Sequence, residues 1–131
     1  MATVAEIMRR SPIYSIGEKE SLRSAAAQMS LHRVGSLLVL DEGRRLIGII
    51  TERDIILAIG EGVDPDKTPV ERYMSRKPVT ARPEDSIVSA AHKMITHGIR
   101  HLPVVDESGR VLGIISIRDV LRHILAEHEF P

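Results

Sequence analysis

Two stretches of the chain set a hydroxyl three residues ahead of a carboxylate: Thr51-x-x-Asp54 in "GIITERDI" and Ser116-x-x-Asp119 in "GIISIRDV". In each, an apolar run ends at the hydroxyl and a helical pattern begins. A Ser or Thr there caps a helix N-terminus, and an acid in the first turn suits the helix dipole. The same arrangement serves a second chemistry. A helix N-terminus offers free N–H groups and partial positive charge to a phosphate. The hydroxyl donates to that phosphate, and the carboxylate accepts from both hydroxyls of a ribose cis-diol. The residues alone leave both readings open, cap and nucleotide contact.

Arg100-His101 lies just ahead of the apolar run "LPVV", where the first stretch has Gly35-Ser36. A basic pair at that point reaches a phosphate at the Ser116 helix terminus with charge-assisted hydrogen bonds. Gly35 and Ser36 supply no charge. The alternative is a solvated arginine beside a helix-flanking histidine. Arg53 and Arg118 occur in both stretches and read as partners of nearby acids on their helices. The six histidines do not cluster, and none forms a zinc-protease pairing, so no metal site is expected. There is no Walker loop, nucleophile elbow or dinucleotide fingerprint, and no catalytic residue is assigned.

These groups sit on a repeat. Residues 20–57 laid over 85–122 give sixteen identities in thirty-eight gapless pairs, an offset of 65. Upstream, Met8-x-x-x-Pro12 matches Met74-x-x-x-Pro78 at an offset of 66, so the first copy has one extra residue near Gly17. Each copy opens on a capping box, Thr3-Val-Ala-Glu6 or Thr68-Pro-Val-Glu71, which predicts a short helix. A strand follows near Ile13–Ile16 and Val79–Ala81. Apolar residues at helical spacing then predict helices over Leu22–Leu31 and Ile87–Thr96. Hairpins follow, Leu37–Leu40 with Leu46–Ile50 and Leu102–Val105 with Val111–Ile115, turning at "DEGR" and "DESG". Helices at Glu52–Ile59 and Ile117–Ala126 close the copies, and residues 61–68 form a linker rich in Gly, Asp and Pro. The fold class is therefore α/β: two tandem β-α-β-β-α repeats, 4–60 and 69–126. A repeat of that size buries too little surface to stand comfortably alone. The expectation is that the two pack sheet to sheet with pseudo-twofold symmetry.

The 131 residues carry eighteen basic and eighteen acidic side chains, 2% aromatics and no cysteine. Zero net charge and few stacking residues argue against nucleic acid and an anionic membrane. The lack of cysteine excludes disulfides and thiol nucleophiles. No signal-peptide core or membrane-spanning apolar run is present, and a cytoplasmic location is expected.

The openings "IMRRSPI" and "YMSRKPV", with "HRVGSLLVLDEGRRLIGIITERDI" and "HGIRHLPVVDESGRVLGIISIRDV", resemble the CBS-domain pair, or Bateman module. The resemblance runs from Val4 to Leu125. The first copy departs from the family pattern at Leu38, where the family has the proline seen at Pro103. The resemblance implies a stand-alone regulatory module, without catalysis or a cofactor, that binds an adenosine-containing ligand in the cleft between the repeats. AMP leads, followed by ADP, ATP, S-adenosylmethionine or a dinucleotide. It implies ribose contacts at Asp119 and Asp54, and phosphate contacts at Ser116, Thr51, Arg100 and His101. The base slot would be Val79, Thr80, Ala81 and Ile99 in the second copy, and Ile13, Tyr14 and Val34 in the first. These are also ordinary core positions. The closing helices carry Ile55, Ile56 and Ile59, and Val120, Leu121, Ile124 and Leu125, more apolar surface than one sheet needs, which predicts a homodimer. A protein target regulated in trans is a further expected partner. The competing reading is a ligand-independent protein-interaction module.

Overall fold

A computed structural model describes residues 2–128. The elements run α1 (Val4–Ile7), β1 (Ser15–Gly17), α2 (Leu22–His32), β2 (Ser36–Leu40), β3 (Leu46–Thr51), α3 (Glu52–Gly60), β4 (Ser75–Arg76), α4 (Ile87–His97), β5 (His101–Val105), β6 (Val111–Ser116) and α5 (Ile117–Glu127). A 3₁₀ turn at Val70–Arg72 precedes β4.

The chain folds as two compact units, and they do not coincide with the two sequence copies. One unit is Tyr14–Pro78; the other joins the described residues through Ile13 to those from Val79 onward. Each opening segment therefore belongs to the body of the other copy. In the Tyr14–Pro78 unit the sheet order is β1-β2-β3-β4, with β1 parallel to β2 and the other pairs antiparallel. Met74 lies over Gly48, where a Cβ would stand 2.6 Å from its Sδ and 2.8 Å from the Ser75 carbonyl oxygen. The other unit repeats the plan. β5 and β6 form the hairpin, Ala81 bridges Val104 on one side, and Arg9 bridges Ile114 on the other. Here Met8 covers Gly113, whose Cβ would stand 2.7 Å from the Arg9 carbonyl oxygen. Only glycine allows so close a backbone approach. The repeated Met and the repeated Gly of "GII" are thus two halves of one contact.

Each unit has its own core. Leu22, Leu37, Val39, Ile50, Ala58 and Val70 are wholly buried in the first-copy unit. Ile87, Met94, Leu102, Val104, Ile115 and Val120 are buried in the second, with Val4 of α1. Helices α2 and α4 begin on Ser21 and Ser86, whose side chains accept from the N–H of Ser24 and Ser89 at 3.1 Å. They end in the left-handed region, on Arg33 (φ 55°) and Gly98 (φ 64°).

Four local expectations need correction. The second opening is a 3₁₀ turn, because the Thr68 hydroxyl donates to the Asp64 carbonyl at 2.7 Å and Pro69 takes the cap position. The first strand starts at Ser15, two residues later than expected. β4 was not foreseen. The strand expected at Val79–Ala81 shrinks to a single bridge at Ala81. Pro103 is the cause. In the first copy the Leu38 N–H donates to the Tyr14 carbonyl at 3.1 Å. Proline at the matching position has no N–H, so that ladder bond is lost.

Candidate functional site

In the second-copy unit β6 ends on Ser116 and α5 starts on Ile117. The Ser116 hydroxyl oxygen accepts from the Asp119 N–H at 3.0 Å. The register sets His101 opposite Ser116, and the Ile117 N–H donates to the Arg100 carbonyl at 2.9 Å. The basic pair and the cap are therefore neighbours. On the far side of β6, Arg9 and Ile114 exchange backbone hydrogen bonds at 2.8 and 2.9 Å. Arg118 and Arg122 stand one turn apart on α5. These groups surround an open cavity of about 810 Å³, together with Asp119 and the apolar Ile114, Ile117, Leu121 and Leu125. Its charged groups are four arginines and one aspartate, plus His101.

Burial pushes the His101 imidazole below its ordinary value, and the nearby Arg9 charge acts in the same direction. The Asp119 carboxylate opposes them. His101 is a surface residue, so solvent moderates these effects.

Arg100, His101, Ser116 and Asp119 line one cavity. The four residues assigned to a base slot do not line this cavity. Ala81 is wholly buried in the core, and Val79 and Ile99 pack against that core. The Thr80 carbonyl accepts from Lys93 Nζ at 2.9 Å. Arg9 and Arg122 escaped the sequence reading. Arg122 follows Arg118 at i+4, a visible signal; Arg9 arrives through the exchanged opening segment and had none. Arg118 and Arg53, expected to pair with acids, form no ion pair among the described residues, and Arg118 faces the cavity instead.

The first-copy unit holds a cavity of about 590 Å³ at the start of α3, lined by Met29, Arg33, Val34, Gly35, Glu52 and Ile55 among others. Here the cap is a closed reciprocal box. The Thr51 N–H and hydroxyl donate to the Asp54 carboxylate at 2.9 and 3.0 Å, and the Asp54 N–H donates back to the hydroxyl at 3.2 Å. The Tyr14 ring stacks on His32, centroids 4.4 Å apart. Ile13, grouped with Tyr14 and Val34 on sequence, belongs to the other unit. Among the described residues no three His, Asp or Glu side chains gather to hold a metal ion, and no helix is long and apolar enough to cross a membrane.

The family model for the CBS domain matches residues 4–61 and 70–126. An uncharacterized 17.7 kDa protein of Acidianus ambivalens is 37% identical over 98% of this chain and 77% of its own length. Other curated relatives are longer, and the chain spans 61% to 22% of them. Among solved structures, the CBS domain protein PAE2072 of Pyrobaculum aerophilum, complexed with AMP, is 32% identical with a TM-score of 0.80, covering 96% of this chain and 97% of that one. The CBS domain pair of protein MJ0100, in complex with 5′-methylthioadenosine and S-adenosyl-L-methionine, is 31% identical with a TM-score of 0.77, over 96% and 98% of the two chains.

Proposed function

From a chain that belongs to the CBS domain family as a tandem pair of repeats, we propose a regulatory module that binds a phosphate-bearing adenosine ligand, AMP first, without transforming it. The ligand sits on the second-copy unit. The observation that carries this reading is the cap of α5. Ser116 caps the helix through its oxygen, while the Asp119 carboxylate makes no bond back to it. That carboxylate is left to accept from a ribose diol. Around it stand Arg9, Arg100, Arg118 and Arg122, which suit a phosphate and repel the positive charge of a sulfonium. The AMP complex of the Pyrobaculum aerophilum relative supports the same choice.

Thermal shift and calorimetric titration against AMP, ADP, ATP, S-adenosylmethionine and NADH test it. A ligand at 100 times its dissociation constant adds about 2.7 kcal/mol of stability when it binds only the folded state. Silence from every member of the panel sinks the proposal and leaves the interaction module. One observation favours self-association in either case. Ile56, Leu57 and Ile59 of α3, and Leu121 and Leu125 of α5, are each more than half exposed. Each of these apolar helix faces fits a second copy of the chain. Light scattering that shows a monomer at micromolar concentration contradicts the homodimer.

A further inference from the structure

The backbones that carry the two helix caps are the same, so any difference in what they bind must come from side chains. Glu52 donates its N–H to the Gly35 carbonyl at 2.9 Å, as Ile117 does to Arg100. β2 and β3 pair Ser36 with Thr51, as β5 and β6 pair His101 with Ser116. What differs at the first helical position is a glutamate against an isoleucine.

We propose that Glu52 closes the first-copy site to anionic ligands, so that the chain takes one nucleotide rather than two. This rests on the nucleotide reading above and concerns the copy that reading leaves aside. Three observations meet here. First, the Glu52 carboxylate folds over Gly35. A Cβ at residue 35 would stand 3.3 Å from its Cδ and from Oε1. The missing side chain at Gly35 and the carboxylate fill one another's space, where the second copy carries Arg100. Second, the first turn of α3 holds two acids, Glu52 and Asp54, and that of α5 only Asp119. A phosphate approaching the α3 terminus meets a carboxylate in the place of an arginine. Third, one oxygen of the carboxylate that would hold a ribose is already engaged: Asp54 Oδ2 accepts both Thr51 donors.

Among the described residues Arg33 is the one cation lining this cavity, which Thr51 and Asp54 adjoin in sequence without lining. Glu52 offsets its charge, which leaves no surplus to draw a dianion. At a separation near 4 Å in a water-exposed setting, one carboxylate costs an anion about fivefold in affinity.

The test is calorimetric titration of the full chain with AMP and with adenosine. Wild type should bind one AMP per chain. Glu52→Gln keeps the shape and removes the charge. It should strengthen AMP binding at the first-copy site about fivefold or more, without changing the affinity for adenosine. The double variant Gly35→Arg/Glu52→Ile copies the second-copy residues and should raise the stoichiometry toward two. Gly35→Arg alone should gain less, because its side chain collides with Glu52. Two equivalent AMP sites in wild type overturn the inference. So does a single AMP per chain in both Glu52→Gln and the double variant. If AMP binds to none of these proteins, the nucleotide reading itself falls, an outcome distinct from either.

Discussion

The start of α3 and the start of α5 are one piece of backbone made twice, with opposite chemistry. Both follow the last strand of a hairpin, both are capped by a hydroxyl, and both tie their first N–H to the residue ahead of the neighbouring strand. Around α5 stand four arginines, and the Asp119 carboxylate makes no bond to the Ser116 cap. Around α3 the matching positions are Gly35, Arg53, Leu57 and Ser75, one arginine against four, with Glu52 at the first helical position and Asp54 Oδ2 bonded to Thr51. Duplication supplied the scaffold, and the side chains grafted on it decide what binds. A helix N-terminus is an anion site only when its own first turn has not already satisfied it.

The largest expected effects are on binding. Arg100→Ala should weaken AMP roughly ten- to a hundredfold, since a hydrogen bond involving a charged group contributes about 1.5–3 kcal/mol. Adenosine should barely notice. Asp119→Ala should weaken AMP and adenosine alike, and Asp54→Ala should do much less at low ligand concentration. Titration of the three variants with both ligands checks the set. If Asp54→Ala abolishes tight binding while Asp119→Ala spares it, the two copies have been assigned the wrong way round.

As scaffolds the copies should behave alike. Gly113→Ala sets a methyl 2.7 Å from the Arg9 carbonyl, and Gly48→Ala sets one 2.8 Å from that of Ser75. Each should cost about 1–3 kcal/mol, the usual range for overpacking against atoms that cannot step aside. Denaturant unfolding measures both, and a large gap between them would show that the two opening segments are held differently.

The pH response should belong to the second copy. Burial and Arg9 hold the folded-state value of His101 below its ordinary 6.5. As pH falls, the unfolded chain takes up that proton first. The stability His101 contributes above about 6.5 is therefore lost on acidification. His101→Ser, which copies Ser36, should remove this loss from a thermal-unfolding series across pH. For binding the sign reverses, because a phosphate favours the charged imidazole. AMP affinity should rise toward about pH 6, and a flat profile would take His101 out of the site.

Smallest is a backbone effect. Arg33 holds the left-handed C-cap that Gly98 holds in the other copy. Arg33→Gly should stabilise by up to about 1 kcal/mol and Gly98→Ala should destabilise by a similar amount. Thermal melts of the two variants, moving in opposite directions, would sharpen the comparison.

Much of this was legible from the chain. Helical spacing in "SLRSAAAQM" and "SIVSAAHKM" placed α2 and α4 within a residue or two, and the hairpins followed from their apolar runs and turns. Arg100-His101 was visible as a break in the repeat. The exchange of opening segments was not, because a repeat shows which residues are alike and not which copy's body they pack on. Arg9 was lost with it. The short strand at Val79–Ala81 was over-read although its spoiler was in view, since Pro103 stands where Leu38 donates. At Ala81 a base slot and a core position read alike, because a buried small residue beside a strand looks the same in either role.

The exchange of openings also gives synthesis a direction. A ribosome delivers a chain from its N-terminal side, and Tyr14–Pro78 is contiguous. Once Pro78 has emerged, every strand and helix of the first-copy unit is available, including Met74 for Gly48. The other unit has to wait for both of its parts. Met8 and Arg9 leave the ribosome early, but Gly113 and Ile114, their partners, leave near the end of the described chain. Domains generally fold as units and in the order in which they are made. The unit that holds the cavity of Arg33 and Glu52 is therefore finished first, and the pocket of four arginines, to which Arg9 contributes from the far side of the sequence, takes shape last.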